Sequence, residues 1–291
     1  MASVGAAQAA TGTPTRAEDL HLPEDHPGFS DLGYRARRAA IADACTSYQP
    51  GGDIPDVHYT AEEDEVWRVV SRELAAKHEV FACQAYLDAT RRLVLPTERV
   101  PQLSEVDDRL RRLTGFRLSP VSGLVPTRQF YGALAERVFH STQYIRHHSV
   151  PFYTPEPDIV HEIIGHANML ASPELADLYE LAGKASLRAT SEGAQEFFSK
   201  VFWFTLEFGV VRESGELRAY GAGLLSSYGE IQEFRRAETR PLDISAMGRL
   251  DYDITRYQPV LFAASSFGQV LEELTWFFSA YDDDMYSRLV S

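Results

Sequence analysis

A carboxylate set inside a segment that is apolar almost all round constrains this chain more than any other feature. The run Phe197-Phe198-Ser199-Lys200-Val201-Phe202-Trp203-Phe204-Thr205-Leu206-Glu207-Phe208-Gly209 carries aromatic and aliphatic side chains on nearly every face. It predicts a buried helix with neighbours packed around it. Glu207, left unpaired there, meets a large desolvation cost. Two kinds of partner remove that cost: a buried arginine, since Arg is plentiful in this chain, or a metal ion. A second segment, roughly forty residues earlier, bears on the choice. His161-Glu162-Ile163-Ile164-Gly165-His166 supplies two imidazoles. Two histidines and one distant carboxylate are the ligand set that suits ferrous iron with open coordination positions.

The spacing is not that of a zinc protease, whose H-E-x-x-H places two histidines one helical turn apart. His161 and His166 are five residues apart, and five steps along an undistorted α-helix swing the second ring about 140° past the first. A helix that loosens at Gly165 turns both rings toward one ion, because glycine tolerates unusual backbone angles. Pro155, Pro157 and Asp158 mark the start of this helix, proline suiting the first turn and aspartate a cap. Taken alone, the two histidines also fit a pair of ordinary, partly buried core residues. Trp203, four residues before Glu207, shares its face on an α-helix and either lines a cavity beside an ion or fills the core.

Helical spacing or composition predicts helices over 35–48, 61–78, 80–95, 104–114, 128–140, 157–166, 173–184 and 192–208. In the second of these, Val66, Val69, Val70 and Leu74 recur at near-helical intervals. Strand signals are few, with 150–153 and 216–220 as candidates. The expected fold is therefore mainly α with small β pieces. Residues 1–20 are rich in Ala, Thr and Gly and lack large apolar groups, so a disordered tail is expected ahead of one catalytic domain over 21–291.

Ordered blocks of sequence carry a resemblance. They include His26-Pro27-Gly28-Phe29, Tyr34-Arg35-Ala36-Arg37-Arg38, Thr114-Gly115-Phe116-Arg117 and Val138-Phe139-His140-Ser141-Thr142-Gln143-Tyr144-Ile145-Arg146-His147. Tyr153-Thr154-Pro155-Glu156-Pro157-Asp158, the two segments above and Tyr220-Gly221-Ala222-Gly223-Leu224-Leu225-Ser226-Ser227 continue it. Across nearly the whole chain after the tail, the sequence resembles the tetrahydropterin-dependent, non-haem iron aromatic amino acid hydroxylases, in their compact bacterial form.

That resemblance implies that His161, His166 and Glu207 hold Fe(II). It implies a tetrahydrobiopterin or related tetrahydropterin beside the iron, O2 activated between them, and oxygen delivered to the ring of an aromatic amino acid. The stretch from Val121 to Phe130 resembles the pterin loop, with Gly123, Leu124 and Val125 offering backbone contacts and Phe130 stacking on the pterin. Pro126 and Thr127 depart from a serine pair common in the animal enzymes, and proline has no amide to donate. Phe202 stands where a tyrosine often does. His140 matches a residue near pterin and iron, although a satisfied core histidine explains it equally. Glu162 matches a catalytic carboxylate that faces the pterin and helps position oxygen.

For the substrate, Arg146 matches the residue that grips the amino acid carboxylate, a task that suits a guanidinium fork. Tyr153, Thr154, Ser226 and Ser227 complete that polar end, while Pro157, His161, Trp203 and Phe208 wall the ring. Bulky Trp203 disfavours an indole, and aliphatic Ile254 stands where tyrosine hydroxylases carry an Asp. Both point to L-phenylalanine, giving L-tyrosine. Delivery to the meta carbon, giving meta-tyrosine, is a variation that sequence does not resolve. The resemblance further implies no regulatory or tetramerisation domain and a monomer or weak dimer.

Composition limits the other possibilities. A net charge of −14 argues against nucleic acid and anionic membrane surfaces as partners. No apolar run approaches the length of a membrane span. Cys45 and Cys83 make no disulfide framework and suit the cytoplasm. Asp282-Asp283-Asp284 reads as a solvated surface run. Two other classes stay open: a zinc hydrolase with Glu162 as general base, and a non-catalytic aromatic amino acid binder.

Overall fold

A computed structural model describes Leu22 and residues 24–291; the tail expected over 1–20 lies outside the described residues. The architecture is mainly helical, as expected. Helices run over Leu32–Thr46, Ala61–Phe81, Gln84–Leu93, Leu103–Leu113 and Pro173–Arg188, and the last of these packs against the segment that begins at Glu192. Their starts follow from short polar side chains. Thr60 and Glu63 form a reciprocal capping box, and Asp31, Ser172 and Ser191 each accept a backbone N–H from their own first turn. In the second helix Val66, Trp67, Val70 and Leu74 are buried.

Two small sheets complete the fold. Strands β1 (Arg117–Pro120) and β2 (Val138–Ser141) pair in parallel. Strands β3 (Val210–Glu213), β4 (Glu216–Ala219), β5 (Glu238–Pro241) and β6 (Val260–Ala264) lie in the order β4-β3-β6-β5. The β3–β4 hairpin turns through Ser214 and Gly215, whose φ angles of 51° and 82° match the twist of tight hairpin loops.

Several elements differ from the sequence reading. The helix expected over 128–140 runs only over Thr127–Leu134, and His140 stands on β2. Residues 150–153 form a turn rather than a strand, with Tyr153 N donating to Val150 O. The helix expected over 80–95 is interrupted where Cys83 N donates to Ala219 O, which ties the chain to β4. The aspartate run is structural: Asp282 caps the last helix, and Asp283 accepts the backbone N–H groups of Thr190 and Ser191 at 2.9 Å each. The Ser191 and Thr190 hydroxyls, then those backbone bonds, hold the Asp283 carboxyl far below the usual carboxylate range.

The helix from Glu192 passes through the middle of the core, with Phe197, Phe198, Val201, Phe202, Phe204 and Leu206 buried. It does not stay α-helical. From Trp203 to Glu207 it widens into a π-helix, and the segment His161–Ala167 does the same. π-turns are rare and concentrate at functional sites. Here they occupy both segments that carry the candidate metal ligands.

Candidate metal centre and adjoining cavity

A π-helix closes its hydrogen bonds from i to i+5, so residues five apart come back to nearly the same face. This brings His161 and His166 together where an α-helix would part them. Asp158 fixes where the helix begins, its Oδ1 accepting His161 N–H at 3.2 Å and its backbone carbonyl accepting Glu162 N–H at 3.0 Å. Gly165 serves by closeness rather than by an unusual angle: a Cβ there would meet Ala222 O at 2.8 Å.

The three candidate ligands converge. His161 Nε2 and His166 Nε2 lie 3.0 Å apart, and Glu207 Oε1 is 3.1 Å from His166 Nε2. Glu207 Oε2 is 3.9 Å from His161 Nε2. Among the described residues, the ion-pair partners of Glu207 are these two imidazoles, so the arginine alternative falls away. Burial would push the Glu207 carboxyl up, but the two histidines outweigh it and hold the carboxyl below its ordinary value. Burial, aided by His166, pushes the His161 imidazole down to about 4.

Both rings are oriented from behind. His161 Nδ1 lies 2.8 Å from Ser226 Oγ, whose own proton goes to Ala222 O at 2.8 Å. His166 Nδ1 lies 2.8 Å from the Tyr179 hydroxyl, which in turn faces Met169 Sδ at 3.6 Å. Each hydroxyl therefore accepts from an Nδ1–H, leaving both Nε2 lone pairs aimed at the same point. Ser226 thus braces His161 from behind, a contact beyond the substrate end expected of it. Tyr179 was not singled out from sequence. Its only signal there was a hydroxyl on the apolar face of the helix Pro173–Arg188, which demands a buried partner.

A cavity of about 220 Å³ opens beside this point. His161, Glu162, His166 and Glu207 line it, together with Gly123, Leu124, Val125, Phe130, His140 and Pro157. The metal ligands and the loop read as pterin-binding therefore share one space. Thr142 and Tyr131 also line it. Glu162 sets a carboxylate oxygen within 4.8 Å of the nitrogens of both histidines. Burial pushes its carboxyl well above the ordinary range, although bonds from Thr142 oppose the shift. Phe130 meets Phe139 edge-on at 5.5 Å between centroids. His140 has its Nδ1 buried with no hydrogen-bond partner, and burial lowers its pKa. The cavity thus combines the flat aromatic face of Phe130 with the unspent ring nitrogen of His140 on β2, which fit a heterocycle with its own donors and acceptors.

The expected substrate residues are less concentrated. Arg146 is buried and grips Asp158 in bidentate fashion, Nη2 to Oδ1 at 2.8 Å and Nε to Oδ2 at 2.9 Å. Of the N–H groups beyond that pair, one on Nη1 faces Pro151 O at 3.5 Å, and Arg146 does not line the cavity. Trp203 does not line the cavity. It stacks on Tyr252 at 4.2 Å, meets Phe208 at 4.5 Å and donates Nε1–H to Gln258 at 3.0 Å. Tyr153 is 55% exposed and Ile254 is 64% exposed, both away from the cavity. Thr154 is half-buried, and Ser227 Oγ accepts Glu230 N–H at 3.3 Å.

Residues 13–287 match the family model described as biopterin-dependent aromatic amino acid hydroxylase. The chain belongs to that family. It is 48% identical over 265 residues to the phenylalanine 3-hydroxylase of Streptomyces coeruleorubidus, covering 91% of this chain and 95% of that one. It is 42% identical over 262 residues to the phenylalanine-4-hydroxylase of Rattus norvegicus, covering 88% of this chain and 58% of the rat protein. The fold superposes on the phenylalanine hydroxylase of Chromobacterium violaceum with bound oxidised Fe(III). The TM-score is 0.73 at 28% identity, over 80% of this chain and 85% of that one. Members of the family depend on biopterin, and the donor set here fits the iron held by that bacterial relative. Among the described residues, no helix is long and apolar enough to cross a membrane.

Proposed function

We propose that this chain is a phenylalanine monooxygenase that hydroxylates the ring of L-phenylalanine to L-tyrosine with O2 and a tetrahydropterin. The observation that carries it is the shared cavity. Two histidines and a glutamate converge at one end, and Gly123, Leu124, Val125, Phe130 and His140 line the same space. His161, His166 and Glu207 would hold Fe(II), which with the pterin supplies the electrons and the oxygen activation.

The chain's own residues do the rest. Ser226 and Tyr179 hold the imidazoles in the tautomer that ligates. Glu162, its carboxyl raised by burial, stands beside the metal position, where it can hold or move a proton. Arg146, set by Asp158, offers its remaining N–H groups to the substrate carboxylate. Phe130, Phe139 and Pro157 supply apolar wall that excludes water.

A second reading, hydroxylation at the meta carbon, is favoured by the 48% identity to a 3-hydroxylase over nearly all of that protein's length. Free, buried Cys45 and Cys83 support a cytoplasmic location. A monomer or weak dimer is part of the same proposal. The test incubates the protein with Fe(II), a tetrahydropterin, air and each of Phe, Tyr and Trp, and separates products against para- and meta-tyrosine standards. Para-tyrosine from Phe is the expected product, and meta-tyrosine selects the second reading. Oxygen in none of the three amino acids overturns both.

A further inference from the structure

Asp31, His147 and His148 form a second cluster of metal-ligating side chains, at the surface. They come from two places in the chain. Asp31 caps the helix Leu32–Thr46, and the two histidines directly follow Arg146. One ligand atom from each of the three lies within 4.8 Å of the other two, which suits donors at about 2.0–2.2 Å from one ion. Asp31 divides its carboxylate: Oδ1 accepts Tyr34 N–H at 2.9 Å, while Oδ2 faces His147 Nε2 at 3.2 Å. The capping bond, then His147, hold that carboxyl below its ordinary value, so it is ionised at neutral pH.

The two histidines are held close to one another and to the carboxylates. His147 Nδ1 lies 2.7 Å from Ser149 Oγ. Ser149 N–H also donates to Nδ1 at 3.3 Å, which places the ring proton on Nε2 facing Asp31 Oδ2, and an ion would displace that proton. Tyr34 packs edge-on against the His147 ring at 4.9 Å and donates its hydroxyl to Ile145 O at 3.0 Å, bracing the segment. The His147 and His148 rings stand 4.3 Å apart, and Glu62 Oε2 is 3.2 Å from His148 Nδ1. His148 and Glu62 are exposed, which gives an ion access from solvent. Two imidazoles with carboxylates select borderline divalent ions such as Zn(II) over Mg(II) or Ca(II).

We propose that Asp31, His147 and His148, with Glu62 beside them, bind one zinc-type divalent ion separately from the centre at His161, His166 and Glu207. Bound there, the ion ties the first helix to the segment that carries Arg146. To test this, chelator-stripped full-length protein is dialysed against Zn(II), and metal per chain is measured by atomic emission. Wild type is expected to hold two equivalents and His148→Ala one. Asp31→Asn keeps a helix cap but should weaken this equivalent at least tenfold. Glu207→Ala removes the other equivalent, so the two sites are told apart. Metal content unchanged by His148→Ala overturns the proposal.

Discussion

His161 and His166 bring their Nε2 atoms to 3.0 Å although five residues separate them in the chain. The π-turn over His161–Ala167 makes this possible, and the helix Ala222–Ser226 packed against it keeps the ring of His161 in place.

That packing leaves no room at Gly165. An added methyl would lie 2.8 Å from Ala222 O and 3.2 Å from Ala222 Cβ, pushing away the helix that carries Ser226. Gly165→Ala is expected to cost roughly 1–3 kcal/mol in unfolding free energy and to weaken iron binding as well. Urea denaturation and metal analysis check the two effects. A wild-type midpoint with full iron content contradicts the close-packing account.

Ser226→Ala removes the acceptor behind His161 and leaves the ligands themselves untouched. Iron affinity is expected to fall about 10- to 100-fold, with far-UV circular dichroism unchanged. Tyr179→Phe should do the same through His166. A competition titration with a chelator measures both. An affinity equal to wild type in either variant removes that hydroxyl from the support of the ring.

Glu162→Gln copies the shape of the side chain but cannot release or recover a proton. Iron content is expected to stay at the wild-type level while kcat falls about 10²-fold or more, the usual weight of a positioned acid or base. Loss of iron in parallel with kcat would make Glu162 a ligand instead.

Glu230 does not line the cavity and reports on burial. Its Oε1 accepts Gln258 N–H at 2.6 Å, and burial pushes its carboxyl up to about 7. Between the unfolded value, about 4.5, and 7 the native state binds more protons than the unfolded chain, so stability falls as pH rises through this window. Glu230→Gln keeps an acceptor for Gln258 and removes the ionisation. It should be more stable than wild type at pH 8, by an amount on the order of 1–3 kcal/mol, and equal to it near pH 4. Melting curves across pH 4 to 8 test the sign. A larger wild-type advantage at pH 8 reverses it.

The ligand set was legible because it breaks the apolar pattern around it. Glu207 stood out against a run of aromatic residues, and the interval from His161 to His166 was visibly wrong for an α-helix. The remedy was only half legible. A distortion near Gly165 was foreseen, but it is a widened turn shared with Trp203–Glu207, and Gly165 acts through contact with Ala222. Ser226 and Tyr179 lie 65 and 13 residues from the rings they hold, and no periodicity announces such pairs. Strands β1, β2, β3 and β5 have four residues each, too few for alternation to register.

The claim on which the rest depends is the convergence of His161, His166 and Glu207 on one iron. It is tested most directly by measuring Fe(II) retained per chain, after anaerobic loading and desalting, in wild type and Glu207→Ala together with phenylalanine-dependent turnover. The expected result is one fewer iron per chain in the variant and no turnover. Iron content and turnover equal to wild type would contradict it.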